Sequence, residues 1–325
     1  MRRREFIALV GATAAWPFAA RAEQSATPVI GVLLDITAEA ASSDVLAAFR
    51  QGVAEAGYLD GKNLAIEYRF ANFRPELLPE LAGDLVQLNV KVIFAIGPPP
   101  IAAAAKATAS VPIVALDLES DPVALGYVKS LAHPGGNITG AFLDFPELSG
   151  KQLQLFKEVL PRLSRIAIFG DPGINAPQFA ATETAARAVA VQAESIEVRA
   201  PDDIERALAD AEATHAEAGI LLTPPLVYVH MKQISELAIP KRLPLISVFA
   251  EFPRAGGFMA YGPNMVEFYR RCGDYVGKIL QGAKTSDLPI QRPEKFNLVI
   301  NLKTATAIGA DVPAHLQHLA DEIIE

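Results

Sequence analysis

Short apolar runs alternate with amphipathic helical stretches twice along this chain, and that rhythm restricts the fold more than any other feature. Val29-Ile30-Gly31-Val32-Leu33-Leu34 reads as a buried strand. Positions 45, 46, 49 and 53 then place apolar side chains on one helical face, and Gly57 stops the helix. A strand over 64–68 follows, then a helix over 76–88 with Pro75 in its first turn. A strand over 91–96 ends at Gly97, a small-residue helix covers 101–108, and another strand covers 112–116. Such βαβα order means a parallel sheet with helices on both faces.

The rhythm pauses over 117–147, where Asp121-Pro122, His133-Pro134-Gly135-Gly136-Asn137 and Pro146 are turn signals. A second series then predicts strands over 165–169, 194–199, 218–222 and 243–249, with helices over 176–191, 203–214 and 231–238. A glycine-rich crossing runs over 255–262 and a long helix over 266–281. A connector at 289–293 leads to a final strand over 296–300. The expected fold class is α/β, with two doubly wound parallel-sheet lobes joined by about three hinge connectors. The first lobe is set at 23–143 plus 259–287, and the second at 144–258 plus 288–325. Open α/β sheets bind ligands beyond the carboxyl ends of their strands, so two facing sheets place both sets of loops in one cleft.

Residues 1–22 read as an export signal: Arg2-Arg3-Arg4, an apolar run, then Ala20-Arg21-Ala22. Arg3-Arg4-Glu5-Phe6-Ile7 fits the twin-arginine pattern. The signal holds four arginines against Glu5, so its removal takes the net charge from −8 to −11. A remainder that acidic gives no electrostatic reason to seek nucleic acid or anionic lipid. No later stretch is apolar over the roughly 18 residues of a membrane span, so no direct insertion is expected after cleavage. Cys272 is the only cysteine, which leaves no intramolecular disulfide. It reads as a small buried hydrophobe.

Signatures of catalysis are missing. There is no Gly-x-Ser-x-Gly elbow, no Gly-x-Gly-x-x-Gly after a strand and no Walker A sequence around Gly150-Lys151. His315 and His318 share helical spacing without acidic partners, so no metal and no cofactor are expected.

Candidate ligand contacts come from the strand-end loops. Asp35 follows the first strand, and Ser42 or Ser43 would cap the next helix, whose free N–H groups attract a carboxylate. Gly97, Pro98 and Pro99 form a stiff loop where backbone can approach a ligand. Carboxylate-binding N–H groups are expected near Ser42, Ser43, Gly97 and Pro99-Pro100, given by neighbours because proline has none. The acids of 117–121 and Asp171 could meet an ammonium, with Asp117 or Asp171 preferred. Asn175 and Thr223, the latter beside Pro224, would add neutral hydrogen bonds. Phe249, Phe252 or Tyr228 could stack on an apolar ligand.

Several stretches resemble the ABC-transporter substrate-binding protein family that includes TrpX-type receptors. They are Phe49-Arg50-Gln51-Gly52, Glu55-Ala56-Gly57-Tyr58 and Gly61 to Arg69. Asp121-Pro122-Val123, Leu131 to Gly140, Ala255 to Gly262 and Lys295 to Ala305 continue the likeness, which runs from about residue 28 to the end. The resemblance implies a type I periplasmic-binding-protein fold, no catalysis, and delivery of a small solute to a membrane permease. Characterised relatives look like receptors for aromatic amino acids. The family's Gly-Thr/Ser loop after the third strand is Gly97-Pro98-Pro99-Pro100 here, which removes a possible ligand hydrogen bond. No lipoprotein cysteine stands near the cleavage site, which implies a free periplasmic protein, taken as a monomer. The resulting expectation is a periplasmic receptor for an amino acid or an aromatic or carboxylate solute, working with an ABC permease. Two rival readings stand beside it: a ligand sensor for a signalling receptor, and a secreted α/β enzyme.

Overall fold

The computed structural model describes residues 27–41, 44–143 and 148–325. The predicted export signal, Ser42 and Ser43 lie outside the described residues.

The first lobe contains β1 (Val29–Leu34), α1 (Asp44–Glu55), β2 (Ala65–Phe70), α2 (Leu78–Gln87), β3 (Ile93–Ile96), α3 (Pro98–Ala107), β4 (Ile113–Asp117) and β5 (Ile138–Phe142). Its five strands pair in the order β2-β1-β3-β4-β5, all parallel. Successive side chains of a strand point to opposite faces. Val32, Leu34, Phe94, Val114 and Leu116 accordingly enter one core, while Leu33, Ile93, Ala95, Ile113 and Ala115 enter another. Both faces of the sheet are covered, as parallel sheets require.

The second lobe contains α4 (Ser149–Val159), β6 (Arg165–Gly170), α5 (Pro172–Ala188), β7 (Gln192–Glu197), α6 (Asp203–Ala213), β8 (Ala218–Leu221) and α7 (Pro225–Val229). It continues with α8 (Met231–Ala238), β9 (Leu245–Ser247), α9 (Glu251–Arg254) and β10 (Met259–Gly262). After α10 (Met265–Leu280) come β11 (Asn297–Asn301), α11 (Leu302–Ile308), α12 (Ala314–Leu319) and β12 (Glu322–Ile324). The strand order is β12-β11-β10-β9-β8-β6-β7, and only the β10–β11 pair is antiparallel. The α/β reading with two parallel-sheet lobes therefore stands.

The crossings fall at other residues than the sequence spacing suggests. β10 pairs with β9 and β11, so 259–262 belongs to the second sheet rather than the first lobe. The glycine-rich run that reads as a connector becomes a strand over Met259–Gly262. A Cβ on Gly262 would sit 1.9 Å from the Val248 carbonyl oxygen, so only glycine admits that approach. The chain then returns to the first lobe as α10, which packs along α1. A Cβ on Gly273 would lie 2.2 Å from the Phe49 carbonyl oxygen, and one on Gly52 would lie 1.9 Å from that of Arg270. Residues up to Gln291 stay on the first lobe. Phe142 N–H donates to the Gln291 carbonyl at 3.1 Å, and Gln291 N–H to that of Gly140 at 2.8 Å. The last crossing thus falls after 291 rather than at 288.

Candidate ligand-binding cleft

The carboxyl ends of both sheets open onto one cavity of about 90 Å³ between the lobes. A single water needs roughly 10–15 Å³ on this measure, so the space suits a small molecule rather than a polymer. Asp35 after β1, Gly97 to Pro100 after β3, and Leu118 and Glu119 after β4 line it from the first lobe. Thr223 after β8, Phe249 after β9, and Ile174, Pro225 and Tyr228 line it from the second. Val45 of α1 with Met265 and Tyr269 of α10 complete the wall. Most of that wall is apolar. Tyr228 meets Phe249 edge-on at 5.0 Å between ring centroids, and Tyr269 meets Phe94 edge-on at 6.0 Å. Such contacts fix the rings for packing against a ligand.

Three buried polar side chains reach this wall: Asp35, Glu119 and Thr223, exposed by 5 %, 4 % and 5 %. Glu119 bridges the lobes. Its Oε1 accepts from the Thr223 hydroxyl and, at 3.1 Å, from Asn175 Nδ2. Asn175 is aimed by its own backbone, which leaves helical geometry at φ −101°, ψ 17° inside α5. Its Oδ1 accepts from the Asp171 N–H at 3.0 Å. Among the described residues, Glu119 Oε2 and Asp35 Oδ1 are buried with no hydrogen-bond partner. Burial, reinforced by the Asp117 carboxylate, pushes Glu119 well above the usual carboxylate range, against the opposing Asn175 hydrogen bond. Burial likewise raises Asp35 to about 6, partly offset by the backbone hydrogen bond from Phe73.

Among the residues singled out from sequence, the cavity brings together Asp35, Gly97, Pro98, Pro99, Thr223 and Phe249. Asn175 stands one layer behind, bonded to Thr223 and Glu119. Pro224 and Asp171 face an adjoining cavity of about 170 Å³. Asp171 accepts from the Gly173 N–H at 2.8 Å as the cap of α5, and lies 3.5 Å from Arg199. Asp117 is fully buried off the cavity wall. Its Oδ1 accepts from the backbone N–H groups of Glu119 and Ser120, which shapes the loop. Of the acids after β4, the one that lines the cavity is therefore Glu119, two residues on. Phe252 is fully buried and absent from the wall, whereas Tyr228 lines it.

The expected donors at Gly97 and Pro99-Pro100 are not free. The Gly97 N–H donates to the Leu116 carbonyl at 2.9 Å. The Ile101 N–H donates to the Gly97 carbonyl at 3.1 Å, and the three intervening prolines carry no N–H. Sequence reasoning missed Tyr269 and Met265, because amphipathic periodicity marks a buried helix face without saying whether a cavity lies beneath it.

Comparison with known proteins bears on this architecture. The family model described as ABC transporter substrate binding protein matches residues 30–324. The "Tyrosine-binding protein" of Clostridioides difficile (strain R20291) is 24% identical over 264 residues, covering 80% of this chain and 75% of that protein. A conserved domain protein from Vibrio cholerae superposes with a TM-score of 0.82 at 24% identity, covering 91% of this chain and 99% of that one. The ABC domain from Streptococcus pneumoniae solved with L-Trp superposes with a TM-score of 0.81 at 20% identity, covering 92% and 100%. With a family model spanning nearly the whole described chain and two lobes closing on a shared cavity, this chain belongs to the ABC transporter substrate binding protein family and is a solute-binding receptor for ABC import.

Proposed function

We propose that this receptor is exported by the segment 1–22, works as a periplasmic monomer, captures a small amino compound with an apolar or aromatic body, and releases it unchanged to an ABC permease. The observation that carries this reading is the cavity lined from both lobes, which Glu119 bridges through Thr223 and Asn175. Its aromatic, proline and aliphatic walls suit an apolar body, and its buried carboxylates suit a donor group on the ligand. Relatives named for tyrosine and solved with L-Trp support an aromatic amino compound. A ligand seated between the lobes favours the closed state by its contacts with both.

The test is native mass spectrometry of residues 23–325 purified from the periplasm, followed by thermal shift against amino acids, aromatic amines and aromatic carboxylates. A bound small molecule recovered unchanged supports the reading. At a hundredfold excess over Kd a ligand adds about 2.7 kcal/mol to the folded state, which is readily seen as a rise in Tm. Chemical conversion of that molecule, or no adduct and no shift across the panel, would overturn it.

A further inference from the structure

We propose that the cleft selects its ligand by an ammonium group seated on Glu119 and offers a carboxylate no seat at α3, so that an aromatic amine binds more tightly than the amino acid of the same side chain. This inference rests on the receptor reading above and narrows the ligand class.

Three observations carry it. The first is the start of α3. A helix N-terminus holds anions through the unpaired N–H groups of its first turn. Here that turn is Pro98-Pro99-Pro100, with no N–H at all. The flanking N–H groups of Gly97 and Ile101 are spent on backbone carbonyls. At α3 the helix end lining the cavity thus keeps its dipole but has lost its hydrogen-bond donors.

The second is charge. Asp35 and Glu119 line the cavity, and no lysine or arginine does so among the described residues. In the adjoining cavity the guanidinium of Arg199 is already shared by Asp171 at 3.5 Å and Glu197 at 3.3 Å. α1 opens on Asp44, a further acid in a first turn. A ligand carboxylate would find no cationic side chain on the described wall of this site.

The third is the vacant acceptor. Glu119 is nine-tenths or more buried, lines the cavity and has Oε2 without a partner, while Oε1 is already met by Thr223 and Asn175. An ammonium carries three donors and no acceptor, and a charge-assisted bond to a carboxylate is among the stronger hydrogen bonds. Burial disfavours the charged form of Glu119 in the empty cleft, and an ammonium reverses that preference.

The test is calorimetric titration with matched probes: L-tryptophan, tryptamine and indole-3-propionate, then L-tyrosine, tyramine and 3-(4-hydroxyphenyl)propionate. The expected order is amine tightest, amino acid weaker by about tenfold or more, and deaminated acid without measurable binding. An amino acid or a deaminated acid binding as tightly as its amine would overturn the proposal and leave the receptor reading intact. If none of the six binds, the molecule recovered from periplasmic protein decides: an amine without a carboxylate upholds the proposal, and any other molecule defeats it. Recovery of nothing alongside six blank titrations would defeat the receptor reading itself. The variant Glu119→Gln keeps an acceptor for Thr223 and Asn175 but removes the charge, and should weaken amine binding about tenfold or more. Unchanged amine affinity in a folded Glu119→Gln protein would exclude Glu119 as the seat.

Discussion

A carboxyl group enclosed by aliphatic and aromatic side chains holds its proton until something positive or donating meets it. Asp35 is such a group, raised to about 6 from 3.8 by burial. A folded-state pKa above the unfolded value means that the native state binds the proton more tightly. The stability so gained is fully present below about pH 3.8 and is lost as pH rises through about 6. The ligand-free protein should therefore lose on the order of 1–2 kcal/mol between pH 4 and 7 from this group, after allowance for partial solvation. Asp35→Asn should flatten that slope in a Tm-against-pH series, and an unchanged slope would show that Asp35 is not its source. At this scale the sequence was partly legible. Strand-end position is enough to nominate Asp35, Thr223 and Phe249, because a loop after a buried parallel strand has few places to go. It is not enough to choose among neighbouring acids. Asp117 is taken by the Glu119 and Ser120 N–H groups while Glu119 reaches the cavity, and that division depends on loop geometry no pattern encodes.

Among the elements, α3 and the α1–α10 pair make the clearest demands. Pro99→Ser would return an N–H and a hydroxyl to the first turn of α3. Carboxylate-bearing probes should then gain several-fold in affinity while amines change little, as read by the same titrations, since one new neutral hydrogen bond is worth about 0.5–1.5 kcal/mol. The α1–α10 contact tolerates no side chain at its centre. Gly273→Ala would drive a methyl to 2.2 Å from the Phe49 carbonyl oxygen. Denaturant unfolding should show a loss of about 1–3 kcal/mol, the usual cost of overpacking. The sequence rhythm locates α1, α6, α8 and α10 closely, since each shows a continuous apolar face. It misses β5 and β10. Both are short, nearly or wholly buried strands carrying glycine where neighbouring backbone comes close, at Gly140 against Ala115 and at Gly262 against Val248. A strand that must be thin in order to pack reads as a turn.

For the whole molecule, the question is how far the lobes close without cargo. One continuous apolar cluster joins Leu34 and Val45 of the first lobe to Leu221 and Phe249 of the second, so closure buries carbon on both sides. Thr223→Val removes the hydroxyl bonded to Glu119 while nearly conserving shape. Small-angle scattering should then show a larger radius of gyration for the ligand-free protein, and titration a ligand affinity reduced several-fold. An unchanged radius would mean that the apolar contacts alone hold the lobes together.

The Glu119 bridge has a consequence for traffic at the membrane. A shut but vacant receptor must either strand a negative charge away from water or borrow a proton to cancel it. A loaded one does neither when its passenger is the ammonium proposed above, which brings the compensating charge. With such cargo the two shut forms differ in free energy through the cargo itself, and closing costs an idle copy more than a loaded one. A permease sampling a crowded population by shape alone would then dock mostly with carriers that hold something to deliver.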